Sequence, residues 1–92
     1  MAQVIATIKI MPESPEQDLA KLEKEAIKKI KDFAGNTEIK KEIEPVAFGL
    51  NAIKITFIMD ESKGSTESLE NNIRNIDGVS SAEIVDVRRA VG

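Results

Sequence analysis

Two segments of this chain, VIATIKIM at 4–11 and LNAIKITFIM at 50–59, change character at nearly every second residue. Only an extended backbone turns alternate side chains to opposite sides, so this period selects β-strands for both. In the first, Val4, Ala6, Ile8 and Ile10 share one face and Ile5, Thr7, Lys9 and Met11 the other; in the second, Ile53, Ile55, Phe57 and Met59 line one face. One well-buried face beside one carrying Lys and Thr is the pattern of a sheet covered on a single side.

The remaining sequence supplies the cover. From Pro15 to Ala34, Leu19, Leu22, Ala26, Ile30 and Phe33 recur at spacings of three and four, which makes one helical stripe. Ser14 reads as its N-cap, with Pro15 at the first helical position and Gln17 three residues after Ser14. Glu16 and Asp18 in the first turn and Lys28, Lys29 and Lys31 toward the last suit the helix dipole, and Gly35 can end it. A second, shorter helix is predicted from Leu69, Ile73 and Ile76, capped by Ser65 or Thr66 and running up to Gly78. Thr37–Phe48 carries Ile39 and Ile43 among charges and then Pro45, which cannot donate to a ladder; it predicts an edge strand, joined to the strand after it by a tight hairpin connection at Phe48-Gly49. Val79–Arg89 reads as a last strand through Ile84, Val85 and Val87.

The order is β-α-β-β-α-β. Right-handed crossovers put both helices on one face and give strand order 4-1-3-2, so the expected fold is α+β, a ferredoxin-like split βαβ with a four-stranded antiparallel sheet. The proline-bearing strand falls at an edge, which agrees. A length of 92 residues with 41% hydrophobic content fits one domain spanning 1–92 and excludes a second.

Composition then removes chemistry. The chain has no Cys and no His, so it lacks the ordinary zinc ligands, a disulfide, a thiol nucleophile and an imidazole base; carboxylates are the metal ligands left to it. Thirteen Lys plus Arg against 16 Asp plus Glu leave a net charge of −3, which argues against a binder of the nucleic-acid backbone. With no Tyr or Trp, only three Phe and no Phe-rich or Tyr-rich strand motif, there is no stacking platform for bases either. No apolar run approaches the ~20 residues of a membrane span. The opening MAQVIATIKI lacks a signal peptide's charged start and cleavage site, so a cytoplasmic protein with no membrane partner and no cofactor is expected.

Three places could carry function. In Pro45-Val46-Ala47-Phe48-Gly49, an aromatic beside glycine at a hairpin tip could anchor in a partner's pocket, although the residues alone favour packing of Phe48 into the chain's own core. Lys63-Gly64-Ser65-Thr66 has the composition of a phosphate loop, but Lys precedes Gly and no glycine stands four residues upstream, so a helix cap is the better reading and no nucleotide site is expected. Arg88 and Arg89 close the last strand; adjacent strand residues face opposite ways, so at most one joins a given surface. The adjacent pair Asp60-Glu61 reads as a solvated loop.

EPVAFGLNAIKITFIMDESKGSTESLENNI, the closing GVSSAEIVDVRRAVG and the opening VIATIKIMPESPEQDL together resemble the guanine-nucleotide exchange domain of translation elongation factor 1-beta, most closely its short archaeal form. The resemblance spans essentially the whole chain and implies a ferredoxin-like fold. It further implies an exchange factor for the GTPase elongation factor 1-alpha, which binds the nucleotide-free GTPase and performs no covalent chemistry. On that resemblance the aromatic of a Pro-x-x-aromatic-Gly turn docks on the GTPase, which selects Phe48 with Pro45 and Gly49. Eukaryotic members also use a lysine next to the C-terminus that intrudes on the magnesium site; here Val91 and Gly92 occupy that end, and Arg88 and Arg89 are the nearest cations. Lys63 resembles a lysine of the same family segment. Larger members carry an N-terminal extension, so this chain is expected to act as a bare exchange domain. A ferredoxin-like regulatory or oligomerisation domain binding a small ligand between paired sheets is the alternative, and an RNA-binding sheet a weaker one.

Overall fold

The computed structural model describes residues 3–89. Its elements are β1 (Gln3–Pro12), α1 (Leu19–Ala34), β2 (Ile39–Pro45), β3 (Asn51–Asp60), α2 (Glu67–Arg74) and β4 (Val79–Arg89), with one-turn 3₁₀ segments at Ala47–Gly49 and Glu61–Lys63. The four strands form one antiparallel sheet in the order β2-β3-β1-β4, as the pattern required. The fold is ferredoxin-like.

The core lies between the sheet and the two helices. Ala6, Ile8 and Ile10 of β1 and Ile53, Ile55, Phe57 and Met59 of β3 face Leu22, Ala26 and Ile30 of α1, Leu69 and Ile73 of α2, and Ile76. Ile8 stands opposite Ile55 and Ile10 opposite Ile53, while Ala6 stands opposite Phe57, so the smallest core residue of β1 leaves room for the bulkiest of β3. The other sheet face is polar: the Thr7 and Thr56 hydroxyls lie 3.0 Å apart, and Glu44 bridges Lys9 and Lys54 at 3.8 and 3.9 Å.

Two expectations are corrected. α1 starts at Leu19, not Pro15: the Asp18 carboxylate accepts from the Lys21 N–H at 3.3 Å as the N-cap, and Ser14 belongs to a separate turn closed by the Gln17 N–H on the Ser14 carbonyl. The Glu13 N–H is held by the Gly78 carbonyl, which ties the chain down before the helix can begin. β2 is shorter than Thr37–Phe48, because Thr37 lies outside the ladder, where its hydroxyl accepts from the Ile58 N–H at 3.0 Å.

Phe57 is fully buried on a central strand. Phe57→Ala is expected to destabilise the domain by about 3–5 kcal/mol, measured by denaturant melts, since neighbours on three elements cannot all collapse into the vacated space.

Candidate functional site

The hairpin joining β2 to β3 is closed by the Leu50 N–H on the Ala47 carbonyl at 3.3 Å and the Val46 N–H on the Leu50 carbonyl at 2.8 Å. The two residues inside it, Phe48 and Gly49, have φ of 64° and 74°. Positive φ at both central positions is what a type I′ hairpin turn demands, and Asn-Gly is the pair that meets it best. Glycine adopts that backbone freely; a residue with a Cβ carries roughly 1–2 kcal/mol of strain there. Phe48 is the one non-glycine residue with positive φ among the described residues, and 93% of it is exposed. The core packing that composition alone favoured for Phe48 is therefore overturned. The chain holds an unburied aromatic in a strained conformation, a combination that makes Phe48 a candidate contact residue. Pro45, the last residue of β2, sits opposite Asn51 and stiffens the approach to the turn.

The cations named from sequence gather elsewhere. Lys63 lies in the turn after β3, and Arg88 and Arg89 end β4, opposite Ile5 and Val4. Since Ile5 faces the open side of the sheet and Val4 the helix side, the two arginines project to opposite faces. Each has an acidic neighbour: Arg88 Nε donates to Asp86 Oδ2 at 2.9 Å, and Arg89 Nη2 to Glu61 Oε1 at 3.1 Å. Both remain largely exposed, so these contacts hold orientation more than energy. Sequence reasoning missed Asp86 and read Glu61 only as part of a solvated loop. The i, i+2 spacing of Asp86 and Arg88 on a strand was a usable signal; Glu61 and Arg89 are 28 residues apart and gave none.

Asp60 accepts the Ser62 N–H at 2.8 Å, and this bond, followed by the Ser62 side chain, holds its carboxyl below the ordinary aspartate range. It stays ionised at neutral pH and is a turn cap rather than a proton donor. Ser65 accepts from the Glu67 N–H at 3.1 Å, so Lys63-Gly64-Ser65-Thr66 leads into α2 as a capping segment. No three carboxylates converge as a metal site among the described residues.

The structure thus divides the candidates between two poles. Pro45, Phe48 and Gly49 occupy the Asn51 end of β3, and Lys63, Arg88 and Arg89 the Asp60 end. Nine residue steps of strand separate them, roughly 30 Å, within a molecule 42 Å long.

Residues 5–90 match the family described as the EF-1 guanine nucleotide exchange domain. The chain is 44% identical over 90 residues to a protein named elongation factor 1-beta from Methanothermobacter thermautotrophicus, covering 97% of this chain and 98% of that one. It is 46% identical over 92 residues to the protein of the same name from Methanobrevibacter smithii, with the same coverage. The Staphylothermus marinus protein of that name is 43% identical over 91 residues, 97% of this chain and 98% of the relative. Among solved structures, the de novo designed protein Foldit4 superposes with a TM-score of 0.61 at 19% identity over 98% of both chains, a likeness of fold alone.

Because Phe48 holds a backbone conformation that asparagine adopts more readily, replacement by the residue the turn prefers stabilises the domain. Phe48→Asn is expected to raise Tm by about 3–6 °C, from about 0.5–1 kcal/mol of relieved strain in a domain of this size. A thermal melt in which Phe48→Asn unfolds at or below the parent temperature would show the turn to be unstrained.

Proposed function

The chain belongs to the EF-1 guanine nucleotide exchange domain family, and on that premise we propose that residues 1–92 form a single exchange domain that acts on the GTPase elongation factor 1-alpha in the cytoplasm, promoting GDP release and GTP rebinding. The observation that carries the reading is Phe48, exposed at 93% on a strained turn with no role in its own core. A rigidly presented aromatic suits insertion into a partner pocket, where such anchors dominate binding energy.

The mechanism asks for no active-site chemistry. A factor that binds the nucleotide-free GTPase more tightly than the nucleotide-bound form must, by linkage, weaken nucleotide binding by the same factor. Exchange then runs in either direction, and the ratio of GTP to GDP in solution sets its outcome. A chain with no Cys, no His and no phosphate loop has what this requires: surface, rigidity and charge.

Pro45, Phe48 and Gly49 form the docking pole of the proposal, and Lys63, Arg88 and Arg89 its second contact. A partner that touches both poles must present two surfaces roughly 30 Å apart, so the factor can brace one part of the GTPase against another. At the second pole a guanidinium brought near a magnesium site would compete with the ion electrostatically. Arg89 sits on the helix-side face and Arg88 on the open face, so one of the two serves this role in any single binding pose.

Release of labelled GDP from elongation factor 1-alpha tests the reading. The parent protein at micromolar concentration is expected to accelerate release, and Phe48→Ala to cut the acceleration by about tenfold or more. No acceleration by the parent chain overturns the proposal. A separate comparison addresses the second pole: Arg88→Ala and Arg89→Ala, each alone, should slow release if that residue acts near the magnesium site, and unchanged release in both removes the cation role while leaving Phe48 as the anchor.

A further inference from the structure

Charge is unevenly spread over α1. Five of the chain's 13 Lys and Arg residues, Lys21, Lys24, Lys28, Lys29 and Lys31, fall on this one helix. Lys21, Lys24, Lys28 and Lys31 follow one another at intervals of three, four and three residues. At about 100° per residue they make one stripe about 80° wide. The buried residues of the helix are Leu22, Ala26 and Ile30, and the stripe is centred directly opposite them, on the outermost line of the molecule's helical layer. All four lysines are exposed.

A solvated helix face ordinarily mixes signs, and here the acids are displaced. Glu23 is held by Lys41 of β2 at 2.6 Å, while Glu25 and Asp32 line the cleft between α1 and the end of α2 together with Asn72 and Asn75. Among the described residues no salt bridge joins any of the five lysines to a carboxylate. The arrangement works against the helix. Each successive pair in the stripe sets like charges three or four residues apart, where they repel. Lys21 also stands in the first turn, which holds no acidic residue and where the helix dipole disfavours a cation.

We propose that this face of α1 binds the phosphate backbone of double-helical RNA, by charge and shape and without reading sequence. The net charge of −3 belongs to the whole chain, whereas at physiological salt a phosphate senses charges within about 8 Å, which on this line are lysines. The stripe spans ten residues of helix, about 15 Å, and it is straight, so it matches a rigid run of phosphates. Every charge on it is a lysine, which meets phosphate as a point charge; the carboxylates of an acidic peptide are better gripped by the fork of arginine. Single strands are held by stacking on aromatic rings, and the stripe has none. A membrane surface is held by an apolar helix face, and that face of α1 is buried on the sheet. Duplex RNA is recognised through phosphate and 2′-hydroxyl contacts to its shape, which requires neither. The choice of RNA over DNA rests on membership of an elongation-factor family, whose setting is translation. None of the four lysines belongs to either pole, so the inference stands apart from the docking reading.

Fluorescence anisotropy of a labelled RNA duplex of about 20 base pairs and arbitrary sequence, titrated with the full chain, tests it. The parent is expected to bind with Kd of about 1–100 µM at about 50 mM salt, and log K should fall against log salt with a slope of about −3 to −4, as four neutralised phosphates require. Lys24→Gln and Lys28→Gln, each alone, should weaken binding by about three- to tenfold and flatten the slope by about one. Lys21→Gln/Lys24→Gln/Lys28→Gln/Lys31→Gln should abolish binding and stay folded by circular dichroism, since all four positions are exposed. Lys40→Gln, at an exposed lysine of β2, should change Kd by less than about twofold. No binding by the parent at about 100 µM protein, a slope flatter than about −2, a fourfold variant that binds as the parent does, or a Lys40→Gln loss equal to that of Lys24→Gln each overturns the proposal. Tighter binding to single-stranded RNA, duplex DNA, polyglutamate or phosphatidylserine vesicles than to duplex RNA overturns it as well. No GTPase is present in the measurement, so its failure leaves the exchange reading standing.

Discussion

Everything else in this molecule depends on burying one side of the β1–β3 pair. The register that sets Ala6 against Phe57, Ile8 against Ile55 and Ile10 against Ile53 is the one in which every helix-facing position of the paired stretch, from Val4 to Ile10 and from Ile53 to Met59, is apolar. Slipping either strand by one residue would carry Lys9, Lys54, Thr7 and Thr56 toward the helices and the isoleucines toward water. That requirement reaches beyond the core. With Gln3 opposite Asp60 and Ile10 opposite Ile53, the β2–β3 hairpin must emerge at one end of the sheet and the end of β4 at the other. The distance between Phe48 and the arginines is therefore a by-product of core packing, fixed before any partner is considered.

A half-covered sheet leaves two edges and one open face to manage, and the chain uses charge for all three. On the open face Glu44 sits between Lys9 and Lys54, easing the repulsion of two lysines paired across neighbouring strands. At β2, charged residues and Pro45 deter pairing. At β4, Glu70 and Arg74 lie one turn apart on α2 and bond the Ile84 N–H and the Ala82 carbonyl. Their mutual contact, at 4.0 Å, is worth little; their value is that two edge groups become satisfied. Among the described residues, this helix of eight residues bonds only these two groups of the edge.

The sequence made the strands legible because alternation survives any tertiary context that keeps one face buried. β4 was bounded at Val79 and Arg89 as observed, and the order of strands followed from the β-α-β-β-α-β succession together with right-handed crossovers. The start of α1 was misread because Ser14, Pro15 and Gln17 satisfy the rules of a cap, whereas the decisive bond, Glu13 to Gly78, joins residues far apart in the chain. The place of Phe48 was open for a different reason. Phe-Gly does not announce a type I′ turn as Asn-Gly does, and hydrophobicity argues for the core; the 93% exposure of Phe48 shows that the ring is turned out. Composition excluded chemistry and the pattern fixed the scaffold, but the poles became visible only when register placed them.

Under the proposed docking role, the strain at Phe48 has a physical rationale in binding. An exposed aromatic on a loose loop must lose backbone and rotamer freedom when it docks, and that loss is subtracted from whatever the contact gains. Here the ring stands on a turn closed by two hydrogen bonds, between a proline-ended strand and the central strand of the sheet. Ordering of the backbone is completed during folding, against the large favourable free energy of the core, and little remains for the moment of encounter. A flexible loop would fold more comfortably and bind less well. Under the proposed docking role, the preordered turn lowers the cost of the contact in every state of the partner, and the preference that weakens nucleotide binding comes from contacts that differ between those states.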